Sequence, residues 1–270
     1  MKAKPYERSA LVLFVVLVLG AVCDFSQTVT TAKETSPVSQ SSQEATEKII
    51  HDYILKHPEV IREALIALDT KEKKEKLERT RQSVKLKQDE IFHVSDDPVG
   101  GNPNGDVSIA VFFDYSCGYC RKALPGLSSL LAKDRLLRVV YKEFPILGPQ
   151  SETAALAALA AARQGKYIEF HDALFATQAI DDEEIKAISS KLGLDYGKLL
   201  KDMRDPKLTA YLTRNFDLAN ALDIDGTPAF IIGDTLIPGA IDAASLAEIV
   251  KAQRARKANV DPKVLNVPKP

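Results

Sequence analysis

Two cysteines, Cys117 and Cys120, are separated by Gly118 and Tyr119 at the point where an apolar, β-rich run, Val107 to Tyr115, gives way to a helix-like stretch beginning Arg121-Lys122-Ala123-Leu124. That spacing at a strand-to-helix junction reads as a thiol-disulfide redox site. The first cysteine falls at the helix N-terminus, where unpaired N–H groups and the positive end of the dipole favour the thiolate, the nucleophilic form of sulfur. Half of a zinc site would share the spacing, but a closed structural site needs four ligands. The chain offers no second Cys-x-x-Cys and no histidine close in sequence to the pair, and its third cysteine, Cys23, lies in an apolar N-terminal run. No metal site and no cofactor are therefore expected. A plain structural disulfide or a pair of buried thiols is the remaining alternative.

The chain of 270 residues, 45% of them hydrophobic, can bury one core of ordinary domain size and still carry an accessory segment. With 36 basic against 37 acidic side chains the net charge is −1, so no nucleic-acid partner and no attraction to anionic lipid is expected. Lys2, Lys4 and Arg8 precede an apolar run from Ala10 to Cys23 and then polar Asp24, the layout of a secretory signal over residues 1–23. Cleavage before Asp24 would leave only the even pair of cysteines, which suits an oxidising compartment, the periplasm or cell envelope. Retention of the run as a membrane anchor is the alternative.

Residues 24–42 are Ser/Thr/Gln-rich and read as a flexible linker. Order is expected from about Gln43. Ile49, Ile50, Tyr53 and Ile54 recur at helical spacing, His57-Pro58 interrupts, and Val60, Ile61, Ala64, Leu65 and Leu68 resume the stripe. Beyond Leu68 charges crowd in from Lys71 to Lys87, as on a solvated helix; if continuous from Pro58 to Phe92 it would extend about 50 Å. Residues 43–97 are thus expected to form a helical stalk. Its apolar end, set apart from the dithiol by the charged stretch, suits a homo-oligomer through residues 43–92, against the alternative of a helix folded back on its own domain.

The Gly/Pro/Asn/Asp-rich passage 96–106 marks a boundary, and a catalytic domain is expected over residues 98–258 with a tail at 259–270. Strand Val107–Tyr115, a helix interrupted by Pro125, and strand Leu136–Phe144 make a β-α-β opening and imply a parallel pair. A mostly helical insertion occupies about 146–223. Runs Ala229–Ile232 and Thr235–Ile237 around Gly233-Asp234 give a hairpin signal, and a helix from Ala243 to about Lys257 closes an α/β domain.

This order of elements resembles the DsbA-like thiol-disulfide oxidoreductases, a thioredoxin fold with an inserted helical domain. The resemblance rests on Phe112-Phe113-Asp114-Tyr115-Ser116-Cys117-Gly118-Tyr119-Cys120, on Glu143-Phe144-Pro145-Ile146-Leu147-Gly148 and on Gly226-Thr227-Pro228-Ala229-Phe230. His57-Pro58-Glu59-Val60 is similar to the N-terminal segment of the ScsC/Com1-like subgroup, some of whose members oligomerise through it. The resemblance implies Cys117 and Cys120 as catalytic residues, with Gly118 and Tyr119 tuning them. It also implies a cis bond before Pro228 and a Thr227 backbone open to an extended substrate; from the residues alone, Pro228 is equally an ordinary loop proline before a strand.

Gly118-Tyr119 and Thr227 look like the isomerase DsbC, where the oxidant DsbA has Pro-His and Val. The implied disulfide is less oxidising, toward the ~ −180 mV of isomerases and away from ~ −120 mV. Relatives often place a buried carboxylate six residues before the first cysteine, where this chain has Val111. Asp114, Lys142 and Glu143 are the nearby candidates for proton transfer, although surface salt bridges are the more ordinary role for each. The resemblance thus implies a protein disulfide isomerase or reductase of the cell envelope, with a dithiol oxidase as the alternative within the same chemistry and a surface-attached holdase as one of another class. Its partners would be unfolded or misoxidised secreted proteins and a membrane redox protein.

Overall fold

The computed structural model describes residues 40–177 and 180–260. The expected signal segment, the linker up to residue 39 and the end of the tail, 261–270, lie outside them. Two compact units divide between Glu63 and Ala64. The first contains α1 (Gln40–Lys56), which begins inside the stretch read as linker, and the start of α2 (Glu59–Leu86). The helices separate at His57-Pro58 because proline disfavours helical geometry in the residue before it and suits the start of a new helix. Ile49, Ile50, Tyr53 and Leu55 on α1 and Ile61 on α2 are exposed. Among the described residues no helix is long and apolar enough to cross a membrane.

The second unit holds the rest of α2, then α3 (Gln88–Phe92), β1 (Val99–Gly101), β2 (Val107–Phe113), α4 (Gly118–Lys133) and β3 (Leu137–Glu143). There follow α5 (Pro149–Ala162), α6 (Tyr167–Ala176), α7 (Asp182–Lys191), α8 (Tyr196–Met203) and α9 (Pro206–Ala221), then β4 (Ala229–Ile232), β5 (Thr235–Pro238) and α10 (Ala243–Val260). The sheet order is β1-β3-β2-β4-β5, with β2 and β3 parallel and the other pairs antiparallel. This is the mixed α/β thioredoxin-like arrangement with inserted helices.

Both faces of the central strands are covered, so β2 reads as a continuous apolar run and not as an alternation. Ile109, Val111 and Phe113 pack on one face with Val139, Tyr141, Phe230 and Ile232, against α4, the inserted helices and α10. Ala110 and Phe112 pack on the other with Val140, Ala229 and Ile231. Val84 of α2 and Ile91 and Phe92 of α3 belong to this second layer. The end of the charged helix is therefore not the solvated spacer expected from its composition: the core of the second unit starts well before Pro98.

Three further expectations are corrected. The two strands are shorter than read, since β2 ends at Phe113 and β3 covers Leu137–Glu143. The passage taken as a pure boundary contains β1, an edge strand paired to β3. Its Gly101 has φ +72°, and a Cβ there would fall 2.5 Å from the Leu137 carbonyl oxygen, so the glycine is what allows the strand to lie so close. Helix α4 runs through Pro125 without a break. The proline removes one intrahelical bond, while Ala123, Leu124, Leu127 and Leu130 keep the helix seated by burying one face.

Candidate active site

Cys117 is the N-cap of α4, extended at φ −77° and ψ 115°. Its Sγ accepts from the Cys120 N–H at 3.4 Å and stands 3.2 Å from the carbonyl oxygen of Thr227, to which its thiol donates. The cap position is usually taken by a serine, threonine or carboxylate oxygen; here a sulfur occupies it and receives the same partial positive charge. The Cys117 N–H donates to the Asp114 carbonyl at 3.1 Å. Both cysteines are thiols in this structure. Cys117 keeps 5% exposure and Cys120 none, so of the two residues only the first reaches the surface. Burial pushes the Cys120 thiol far up, against hydrogen bonds from the Asp114 backbone and the Thr227 side chain. Gly118 is exposed and the Tyr119 ring stands in solvent.

The peptide bond between Thr227 and Pro228 is cis. Thr227 is half-buried and Pro228 buried, immediately before β4, which pairs with β2. Sites remote in sequence, Cys117, Cys120, Thr227 and Pro228, thus meet at one end of the sheet.

The three residues considered for proton transfer are not at the surface. Asp114, Lys142 and Glu143 are all at most 1% exposed, because a strand covered on both faces buries polar and apolar residues alike. Lys142 faces away from the dithiol, paired with Asp97 and donating to the Glu90 carbonyl at 2.7 Å. Glu143 faces the same side as Val111 and Cys120. Its Oε1 accepts from the Tyr115 hydroxyl at 2.9 Å and from the Tyr167 hydroxyl at 2.7 Å. Burial pushes its carboxyl up to about 8, against the pull of the two phenols. Tyr115 also meets His171 Nδ1 at 3.0 Å. A phenol has one proton, so if Tyr115 donates to Glu143, His171 carries its proton on Nδ1 and donates in turn. Burial among aromatic rings pushes His171 down to about 3, keeping it neutral.

Sequence reasoning missed this cluster, and it missed Arg121. The guanidinium of Arg121 donates to the carbonyls of Tyr115 at 3.1 Å, Thr177 at 2.6 Å and Phe175, tying the first turn of α4 to the end of α6. The available signal was Tyr115, a bulky polar residue inside an apolar run; its partners lie tens of residues downstream. Among the described residues no group of three or more His, Cys, Asp or Glu could hold a metal ion.

Comparison with known proteins adds to this geometry. A family model described as the DSBA-like thioredoxin domain matches residues 108–251, and one described as the copper resistance protein ScsC N-terminal domain matches residues 43–75. A solved thioredoxin-like oxidoreductase from Silicibacter pomeroyi is similar at 43% identity and a TM-score of 0.60, over 63% of this chain and 98% of that one. ScsC of Proteus mirabilis in a transitional conformation is similar at 27% identity and a TM-score of 0.61, over 81% of this chain and 100% of that one. Among curated proteins, the Na(+)/H(+) antiporter NhaA 3 of Salinispora tropica is 28% identical over 157 residues, 57% of this chain and 24% of that protein. The chain spans about a quarter of the length of the curated relatives it matches.

Proposed function

The chain belongs to the family of DSBA-like thioredoxin domains, thiol-disulfide oxidoreductases, and from that premise we propose that it is a protein disulfide isomerase or reductase of the periplasm or cell envelope. The observation that carries the reading is Cys117 at the cap of α4, its sulfur within 3.4 Å of the Cys120 amide and 3.2 Å of the Thr227 carbonyl.

In the forward step the Cys117 thiolate attacks one sulfur of a wrong client disulfide. A mixed disulfide between Cys117 and the client forms, the client S–S bond breaks, and its second sulfur leaves as a thiolate. That thiolate attacks another disulfide of the client, and a later client thiolate displaces Cys117, so the chain ends reduced and no electrons are consumed. If the client stalls, Cys120 gives up its proton and attacks the Cys117 sulfur. The Cys117–Cys120 disulfide forms, the client thiolate departs and takes a proton, and a membrane redox partner must restore the dithiol. Thr227, beside the attacking sulfur, would pair through its backbone with the extended client.

Isomerase over oxidase is supported by the dipeptide between the cysteines: neither Gly118 nor Tyr119 can supply a cation to hold the Cys117 thiolate. The reading also draws on exposed Ile49, Ile50, Tyr53 and Ile61, which suit a homo-oligomer through residues 43–92 that presents several thiols to one client. Of the stretch 43–97 read as a helical stalk, residues 43–79 keep that role, while the part from Thr80 onward joins residues 98–258, which carry the chemistry; residues 1–23 act as the export signal or anchor.

The test compares refolding of scrambled, disulfide-bonded ribonuclease with oxidation of a reduced dithiol peptide, for the full chain and for one beginning at Leu77, ahead of buried Thr80. The full chain is expected to isomerise and the shortened one to lose isomerisation while oxidising faster. Cys117→Ser should abolish both activities. Rescue of the client unchanged by Cys117→Ser would make the protein a holdase, and a reduction potential near −120 mV would make it an oxidase.

A further inference from the structure

We propose that the cavity between α4 and α6 is a binding site for a small aromatic amine carrying a ring hydroxyl, a ligand of the size and chemistry of tyramine. Neither cysteine lines this cavity, and the site stands whether or not the chain exchanges disulfides.

The cavity has a volume of about 340 Å³, near the lower end of the range for small-molecule sites, so a one-ring ligand is the scale it can take. Leu124 and Leu127 of α4 and Phe175 of α6 give it apolar walls. Tyr141 of β3 and His171 of α6 line it from the core, at 5% and 3% exposure, with their ring centroids 4.7 Å apart. His171 Nδ1 is committed to the Tyr115 hydroxyl at 3.0 Å. Among the described residues neither His171 Nε2 nor the Tyr141 hydroxyl has a hydrogen-bond partner.

Those two groups have fixed and opposite characters. Burial drives His171 down to about 3, so the ring stays neutral, and with its proton on Nδ1 it presents Nε2 as an acceptor. Burial pushes the Tyr141 phenol up and keeps its proton on, which makes it a donor. Unpaired buried polar groups are costly, and the cavity is the side from which a partner can come. One ligand hydroxyl satisfies both, giving its proton to Nε2 and accepting from Tyr141.

The mouth sets the charge. Asp172 lines it, is exposed, and enters no ion pair among the described residues, whereas Glu169, three residues earlier, is paired with Lys166 at 2.9 Å. Partial desolvation and Glu169 push the Asp172 carboxyl up, a shift that a bound cation would oppose. Arg121 also lines the cavity, but its guanidinium is taken up by the carbonyls of Tyr115, Phe175 and Thr177. Charge complementarity therefore calls for an ammonium at Asp172, and the polar floor calls for a hydroxyl at the far end of the ring.

The experiment titrates the full chain by calorimetry with tyramine, with phenethylamine, which lacks the hydroxyl, and with 4-hydroxyphenylacetate, which carries a carboxylate in place of the amine. Tyramine is expected to bind saturably at one site, phenethylamine about tenfold more weakly, and the carboxylate more weakly still. Asp172→Asn should weaken tyramine about tenfold, while Asp217→Asn, at an exposed position of α9, should leave its affinity unchanged. The 15N signal of His171 Nε2 should shift as tyramine saturates the site. No saturable binding of tyramine, a carboxylate that binds as tightly as the amine, or equal losses in the two Asn variants would each overturn the proposal. An Nε2 signal that stays in place at saturation would overturn it as well.

Discussion

Lys142 and Glu143 are neighbours on β3, both buried, and they point to opposite faces of one sheet. On the back face Lys142 keeps a full counter-ion, Asp97, and a carbonyl, Glu90. Burial draws the lysine down and the aspartate up, and each is held charged by the other. On the dithiol face Glu143 has no cation, and burial keeps its proton on up to about 8 against the pull of the neutral hydroxyls of Tyr115 and Tyr167. One face solves a buried charge by pairing it and the other by removing it. The difference suits their tasks: thiol exchange moves protons, and a fixed ion pair close to it would bias the sulfurs permanently, whereas a protonated carboxyl near its midpoint does so only when it ionises.

The comparison breaks most readily at Lys142. Lys142→Met leaves Asp97 buried with only Arg214, 3.8 Å away, to offset its charge, so a cost of about 3 kcal/mol in urea unfolding is expected. Lys142→Met combined with Asp97→Leu should recover most of that loss. A single variant as stable as the wild type would mean that Arg214 or water already balances Asp97 without Lys142.

Ile91 comes next, because it asks how far the back layer extends. It is fully buried on α3, against Phe112 and Val140 on the sheet, and Ile91→Ala is expected to cost about 2–5 kcal/mol. Exposed Leu86, five residues earlier, serves as the control, and Leu86→Ala should leave the unfolding midpoint unchanged.

That pair of residues also marks the limit of what was legible in the chain. The strand, Cys-x-x-Cys, helix and strand order could be read because a continuous, β-branched apolar run gives way to helical spacing around the cysteines, and the Gly233-Asp234 turn announced β4 and β5. Val84 and Ile91 were hidden because two buried positions among a dozen charges produce no stripe, although each lies fully in the core. β1 was hidden by its own glycines, whose turn signal is the same whether or not a neighbouring strand lies against them. Lys142 and Glu143 were read as surface residues because charge predicts exposure on a one-sided sheet and not on one covered from both sides. The cysteines were legible since their chemistry is local; the phenols and histidine around Glu143 were not, since the helical insertion that brings Tyr167 and His171 there is a tertiary event.

The pH dependence of stability sharpens the dithiol face. Glu143 is raised from 4.5 to about 8 on folding, so the stability its protonated form contributes is complete below pH 4.5 and lost as pH rises through 8. His171 is lowered from 6.5 to about 3, so its contribution is present above 6.5 and lost as pH falls toward 3. Between 4.5 and 6.5 the two slopes oppose and stability should be nearly level. From 6.5 to 8 Glu143 acts alone, and a loss of about 2 kcal/mol is expected at one proton per molecule. Glu143→Gln should flatten that decline in urea titrations at successive pH values. A decline that persists in the variant would assign it to another group.

The smallest effect belongs to the rim, where an ion pair is wet. Arg254 of α10 forks between Asp106 and Asp134 at 2.6–2.7 Å, with the guanidinium about a third exposed. The hydrogen bonds raise the arginine and lower Asp134, the reverse of the burial-driven shifts in the Lys142–Asp97 pair, and solvent competes for every partner. Arg254→Ala is therefore expected to cost about 1 kcal/mol or less. Salt separates the two cases: at 1 M the Debye length is about 3 Å, which screens exposed charges and hardly reaches buried ones. The cost of Arg254→Ala should shrink on raising salt from 0.05 M to 1 M, and that of Lys142→Met should not. Equal salt sensitivity would show that Lys142 and Asp97 are as hydrated as the rim, and the contrast between the faces would then rest on Glu143 alone.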